Sequence, residues 1–125
     1  MIDPTFTLEK KIAIVVGAAN GIGRATARAF AAAGARVACA DVEEAGAKTT
    51  AADIAHGGGQ ALPVRLDVTD GESCRAAVAA TVARFGGVDV LLYGAADSDR
   101  AATPCAAWSA ASTLASWISA PLVAQ

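Results

Sequence analysis

The sequence predicts an α/β protein built on a parallel sheet, and three observations carry that prediction. Short β-branched and aliphatic runs alternate with Ala-rich stretches as far as about residue 100, the pattern of successive βα units. The first run, Ile12 to Val16, is apolar without interruption, as a strand covered on both faces requires. A glycine-rich segment follows it directly and opens into a helical pattern.

The elements follow in order. Ile12 to Val16 (IAIVV) is the first strand and is expected at the centre of the sheet. A helix from about Ile22 to Ala33 comes next, with Gly34 placed to end it in a left-handed turn. Arg36 to Ala40 is the second strand. Glu43 to about Ala55 is the second helix, its acidic start suited to the positive end of the helix dipole, and Gly57-Gly58-Gly59 breaks it. Ala61 to Leu66 is the third strand, and Pro63 predicts an edge position because proline cannot donate to a ladder. Thr69-Asp70-Gly71-Glu72 resembles a capping box that opens a helix running to about Phe85, which Gly86-Gly87 stops; Asp70 or Thr69 could also serve as a simple cap. Val88 to Tyr93 is the fourth strand.

Composition bounds the function. The 125 residues are 54% apolar, enough to bury the core of one domain. A formal charge of -2 leaves no basic surface for a phosphate backbone, so nucleic acid is not expected as a partner. The first eleven residues carry Asp3, Pro4 and Glu9 where a secretory signal needs a basic and then an apolar stretch, and the expected location is cytoplasmic. Cys39, Cys74 and Cys105 form no CxxC pair and have no histidine near them in sequence, so no metal site is expected and the thiols read as buried or idle. The single histidine, His56, precedes the three glycines and reads as a solvated residue rather than a base or ligand.

The chemistry lies in the first turn. Gly17-Ala18-Ala19-Asn20-Gly21-Ile22-Gly23 joins a strand to a helix, the context that a nucleotide fingerprint requires. Gly17 permits the tight turn, Gly21 lets backbone approach a pyrophosphate, and Gly23 allows helix and strand to pack closely, while the first helical amides face the anion. A plain strand-to-helix turn would use the same glycines for geometry alone. Asp41 follows Gly23 at close to the spacing of an acid that accepts hydrogen bonds from the adenosine ribose hydroxyls, and a carboxylate there repels a 2′-phosphate. Capping of the next helix is an alternative use of Asp41, compatible with the first.

The spacing GxxxGIG, preceded by Phe6-Thr7-Leu8-Glu9-Lys10-Lys11-Ile12-Ala13, resembles the opening of the short-chain dehydrogenase/reductase family. Leu66-Asp67-Val68-Thr69-Asp70 is similar to that family's segment after the third strand. The resemblance implies a Rossmann-like doubly wound parallel sheet of order 3-2-1-4, incomplete here, with helices on both faces and a ligand crevice between strands 1 and 4. It implies a dinucleotide cofactor held by Gly17, Asn20, Gly21, Ile22, Gly23, Asp41, Asp67, Val68 and Ala95. Asn20 and Val42 stand where relatives that prefer NADP often carry a basic residue, so NAD is the expected cofactor.

Other positions depart from the family. Val16 replaces a threonine whose hydroxyl braces the site, and Tyr93-Gly94-Ala95-Ala96 stands where the family reads Asn-Asn-Ala-Gly. The family's Tyr-x-x-x-Lys is missing: Tyr93 is the sole tyrosine, Asp97 follows it at that spacing, and no lysine occurs after Lys48. No catalytic residue is therefore assigned, and the expected function is the NAD-binding portion of an oxidoreductase, inactive alone. A non-catalytic nucleotide-binding module is the alternative, and a methyltransferase-like domain is disfavoured by the glycine spacing. Substrate and oligomeric state are not indicated.

All charged residues lie within positions 1 to 100. Residues 1–96 are read as the dinucleotide-binding half-domain and 97–125 as an uncharged Ala/Ser/Thr-rich tail, with a short helix from Cys105 to about Ile118 or no regular structure; Pro104 and Pro121 argue against a membrane span. The expected origin of the sequence after about Leu92 is an out-of-frame continuation of a normal gene. Sequencing the locus should reveal a relative of the catalytic half nearby, and its absence would count against this origin.

Overall fold

Four parallel strands form one sheet in the order β3-β2-β1-β4, in a computed structural model that describes residues 7–94. The chain runs β1 (Ile12–Val16), α1 (Gly21–Ala32), β2 (Arg36–Asp41), α2 (Glu44–His56), β3 (Gln60–Arg65), α3 (Gly71–Phe85) and β4 (Val90–Tyr93). The fold class and strand order expected from the sequence are those observed. β1 pairs in parallel with β2 on one side, Ile14 opposite Ala38, and with β4 on the other, Ile14 opposite Leu91. Every residue of β1 is buried.

Strand side chains alternate between the two faces, and each face has its own helices. Val15, Val37 and Cys39 pack with Ala27 of α1 and with Ala51 and Ile54 of α2. Ile14, Val16, Ala38 and Ala40 point the other way, onto Cys74, Ala77 and Val78 of α3. A sheet covered on both faces explains the uninterrupted apolar run of β1, each of whose larger side chains contributes roughly 1.5–3 kcal/mol by leaving water.

Boundaries follow local chemistry. Gly34 adopts φ 104° after α1 and Gly86 φ 99° after α3, the left-handed stops their sequence positions predict. β3 lies at an edge of the described sheet, with Pro63 opposite Cys39. His56 is the exposed last residue of α2. The capping box with Thr69 as its first member is corrected: of the two caps the sequence offers, Asp70 caps α3, its carboxylate accepting from the Glu72 amide at 3.0 Å. Thr69 instead donates its amide and hydroxyl to Asp67 Oδ1, at 2.9 and 2.7 Å, and so closes a turn before the helix.

β4 begins at Val90 rather than Val88. The Asp89 carboxylate accepts the Ile12 amide at 2.9 Å while the Asp89 amide donates to the Ile12 carbonyl at 2.8 Å, so a side chain stands in for a strand carbonyl at this end. β4 is the outermost described strand on its side and its residues are half-buried. The expectations for Ala95, Cys105 and the tail lie outside the described residues.

Cys39 and Cys74 are buried, as expected of idle thiols. Burial pushes the Cys39 thiol from its ordinary value of 9.0 up to about 12. The unfolded chain therefore loses this proton near pH 9 while the folded chain keeps it, so stability falls as pH rises between about 9 and 12. Chemical denaturation as a function of pH should show that decline, and Cys39→Ala should flatten it; an equal decline in the variant would place its cause elsewhere.

Candidate functional site

The strand ends bearing Val16, Asp41, Arg65 and Tyr93 lie at one edge of the sheet, and the glycine-rich turn sits there. Gly17, at φ 93°, reverses the chain as it leaves β1. The Gly17 and Ala18 amides both donate to the Ala40 carbonyl, at 2.8 and 3.1 Å, which ties the turn to β2. Gly23 is buried on the first turn of α1, and a Cβ there would lie 2.0 Å from the Gly17 carbonyl oxygen. No side chain fits that gap. Gly21 differs: its φ of 56° favours glycine, yet an added Cβ would meet nothing within 4 Å. Open space therefore lies beside the backbone where the sequence reading expects a pyrophosphate.

α1 starts without a side-chain cap. Asn20 occupies the cap position in extended conformation but makes no capping hydrogen bond, and its Nδ2 donates instead to Glu43 Oε2 at 3.2 Å. α3, by contrast, is capped by Asp70. The first amides of α1 are thus left for an external acceptor, the arrangement that suits an anion at a helix N-terminus. Ile22, on this first turn, is 83% exposed, and Val42, just after β2, is 54% exposed.

Asp41 ends β2 beside the turn. Its Oδ2 accepts the Ala19 amide and its Oδ1 the Glu43 amide, each at 3.0 Å. The second bond is a local turn two residues on, so Asp41 is not the cap of α2; Glu43 holds that position. A carboxylate offers about four acceptor sites, which leaves capacity for ligand hydroxyls. The Asp41 carbonyl accepts the Leu66 amide at 3.0 Å, joining the ends of β2 and β3 and bringing Asp67 and Val68 to the same edge. Val68 packs onto the α3 side of the core, and the Asp67 amide donates to Ser73 Oγ at 2.9 Å.

The structure thus gathers Gly17, Asn20, Gly21, Ile22, Gly23, Asp41, Asp67 and Val68 at one edge; Ala95 lies outside the described residues. It adds two that sequence reasoning missed, Gly46 and Thr50. A Cβ on Gly46 would come 2.6 Å from the Ala19 Cβ, so this glycine lets α2 lie against the turn. The Thr50 hydroxyl, one helical turn later and fully buried, donates to the Ala18 carbonyl at 2.8 Å. A glycine inside an otherwise Ala-rich helix was the available signal, because glycine there is unfavourable by about 0.5–1 kcal/mol relative to alanine without a packing reason.

At the end of β4 the Gly94 amide donates to the Val16 carbonyl at 2.8 Å. A Cβ at Gly94 would lie 3.3 Å from that carbonyl and 3.9 Å from the Gly23 Cα, so β1, α1 and β4 meet closely here. Tyr93 packs against the α3 side of the core, and burial, with Cys74 adding in the same direction, holds its phenol above the ordinary range. That is the opposite of what an acid–base tyrosine needs at neutral pH. A hollow of about 310 Å³ lined by Lys10, Gly34, Arg36 and Gln60 lies at the other edge of the sheet, where β2 and β3 begin.

Among the described residues no helix is long and apolar enough to cross a membrane. The family model described as short chain dehydrogenase matches residues 11–113. That match continues past Leu92, beyond which an out-of-frame continuation is expected from the sequence. The chain is similar to a 2,5-dichloro-2,5-cyclohexadiene-1,4-diol dehydrogenase of Sphingobium indicum, 46% identical over 84 residues, covering 67% of this chain and 34% of the relative. It is 48% identical over 94 residues to galactitol 2-dehydrogenase of Agrobacterium fabrum, covering 75% and 36%. A hydroxysteroid dehydrogenase structure from Escherichia coli superposes with TM-score 0.78 at 28% identity, over 93% of this chain and 54% of that one. The chain spans about a third of the length of these curated relatives. With strand order, glycine geometry and family match in agreement, the chain belongs to the short-chain dehydrogenase family.

Proposed function

We propose that this chain is the NAD-binding portion of a short-chain dehydrogenase-type oxidoreductase, with NAD preferred to NADP and no catalytic group of its own. The family uses nicotinamide dinucleotide cofactors, which supply hydride transfer when bound. The observation that carries the proposal is the pairing of a side-chain-free cradle at Gly21 and Gly23 with the Asp41 carboxylate on the neighbouring strand end. Open space at Gly21 and uncapped amides of α1 fit a pyrophosphate. The remaining acceptor sites of Asp41 fit the adenosine ribose hydroxyls, and its charge opposes a 2′-phosphate. Asp67 and Val68, tied to the same edge, would flank the adenine, and Ala95 would lie toward the nicotinamide.

The only tyrosine is half-buried against the core with its phenol pushed upward, and no lysine follows Lys48 to lower it. Substrate turnover would therefore need residues beyond those at this edge.

Thermal unfolding of the 125-residue chain should shift upward with millimolar NAD, less with NADP and not at all with S-adenosylmethionine. A concentration a hundredfold above Kd corresponds to about 2.7 kcal/mol of stabilisation. Gly23→Ala, which would thrust a methyl into the Gly17 carbonyl, should remove the NAD shift. A transition unmoved by NAD would reject the binding reading, and an equal shift with S-adenosylmethionine would reject the choice of ligand.

A further inference from the structure

Four hydroxyls on described helices bond to carbonyls, and one of them differs from the rest. Thr26, Thr49 and Thr81 each donate to the carbonyl four residues back in their own helix. Thr50 is also 3.2 Å from such a carbonyl, that of Gly46, but its shorter contact, 2.8 Å, leaves α2 for the Ala18 carbonyl in the glycine-rich turn. Thr50 is fully buried, as is Ala18, so this bond is shielded from water.

The bond fixes more than one atom. The Ala18 carbonyl and the Ala19 amide belong to one planar trans peptide unit and point in opposite directions. Thr50 grips the carbonyl end, and Asp41 Oδ2 grips the amide end at 3.0 Å. Gly46 lets α2 approach this peptide, since a Cβ there would meet the Ala19 Cβ at 2.6 Å. Rotation of the peptide would break both bonds together.

We infer that Thr50 is a positioning residue of the cofactor site, which orients the Asp41 carboxylate toward the ribose through the peptide unit joining Ala18 and Ala19. This rests on the dinucleotide reading above. With the hydroxyl removed, the peptide loses one of its two grips and can tilt, the Ala19 amide holds Oδ2 less firmly, and the carboxylate, left with the Glu43 amide on Oδ1, can pivot about that remaining bond. The effect falls on recognition of the ribose hydroxyls rather than uniformly on the fold.

The test measures dissociation constants of the full chain for NAD and for its analogue lacking the adenosine 2′-hydroxyl. The wild-type chain should bind the analogue about tenfold more weakly, the scale of one hydrogen bond to a charged group. Thr50→Val should bind NAD about five- to tenfold more weakly and discriminate between the two ligands by about twofold at most. Thr50→Ser, which keeps the donor, should restore discrimination to near the wild-type value. Should Thr50→Val not fold, Thr50→Cys, with a weaker donor of similar size, serves the same comparison and should give intermediate discrimination. A variant without the hydroxyl that is less stable but discriminates as the wild type does would reduce Thr50 to a structural role and overturn the inference. A wild-type chain that binds neither ligand would overturn the dinucleotide reading and this inference with it.

Discussion

The turn between β1 and α1 is held by bonds from β2 and α2, and the rest of the site takes its position from that restraint. The Ala40 carbonyl receives two successive amides, Asp41 a third, and Thr50 binds the intervening carbonyl. Gly23 then seats α1 against the Gly17 carbonyl at a separation that leaves no room for a side chain. These contacts belong to the protein itself. They set the direction of the α1 amides before any ligand arrives, which lowers the ordering cost of binding.

Such a turn stands only if β1, β2 and α2 are fixed relative to one another, and the core accomplishes this. β1 is paired on both sides and buried throughout; Val37 and Cys39 of β2 pack on the same face as Ala51 and Ile54 of α2. The Arg24–Asp53 ion pair, at 2.8 Å, joins α1 to α2, but both side chains are more than a third exposed and the pair adds little beside the packing. The site is therefore an extension of the core rather than a loop added to it.

Much of this was legible in the sequence. The apolar run of β1 marked a strand covered on both faces, and the glycines at 34 and 86 and Pro63 marked helix ends and an edge strand through local backbone chemistry, whereas the strand order followed from the family resemblance. Gly17, Gly21, Gly23 and Asp41 were legible because their spacing is local. Thr50 and Gly46 were not, because their role depends on how α2 is rotated against the turn, and an Ala-rich helix has little periodicity from which to read that rotation. The cap of α3 was open between Thr69 and Asp70 because both have the chemistry of a cap; the carboxylate of Asp67, two residues before Thr69, engages the threonine hydroxyl and leaves the cap to Asp70.

The bonds that hold the glycine-rich turn are all internal to the protein, so the turn is formed before any ligand binds. Hydrogen exchange of the Ala19 amide in the ligand-free chain tests it most directly. Exchange should be slowed by at least about a hundredfold relative to an unstructured peptide, comparable with the amides of β1, because Asp41 holds this group against opening. Exchange at the rate of an unstructured peptide would contradict it and would mean that the turn takes shape only when a ligand binds.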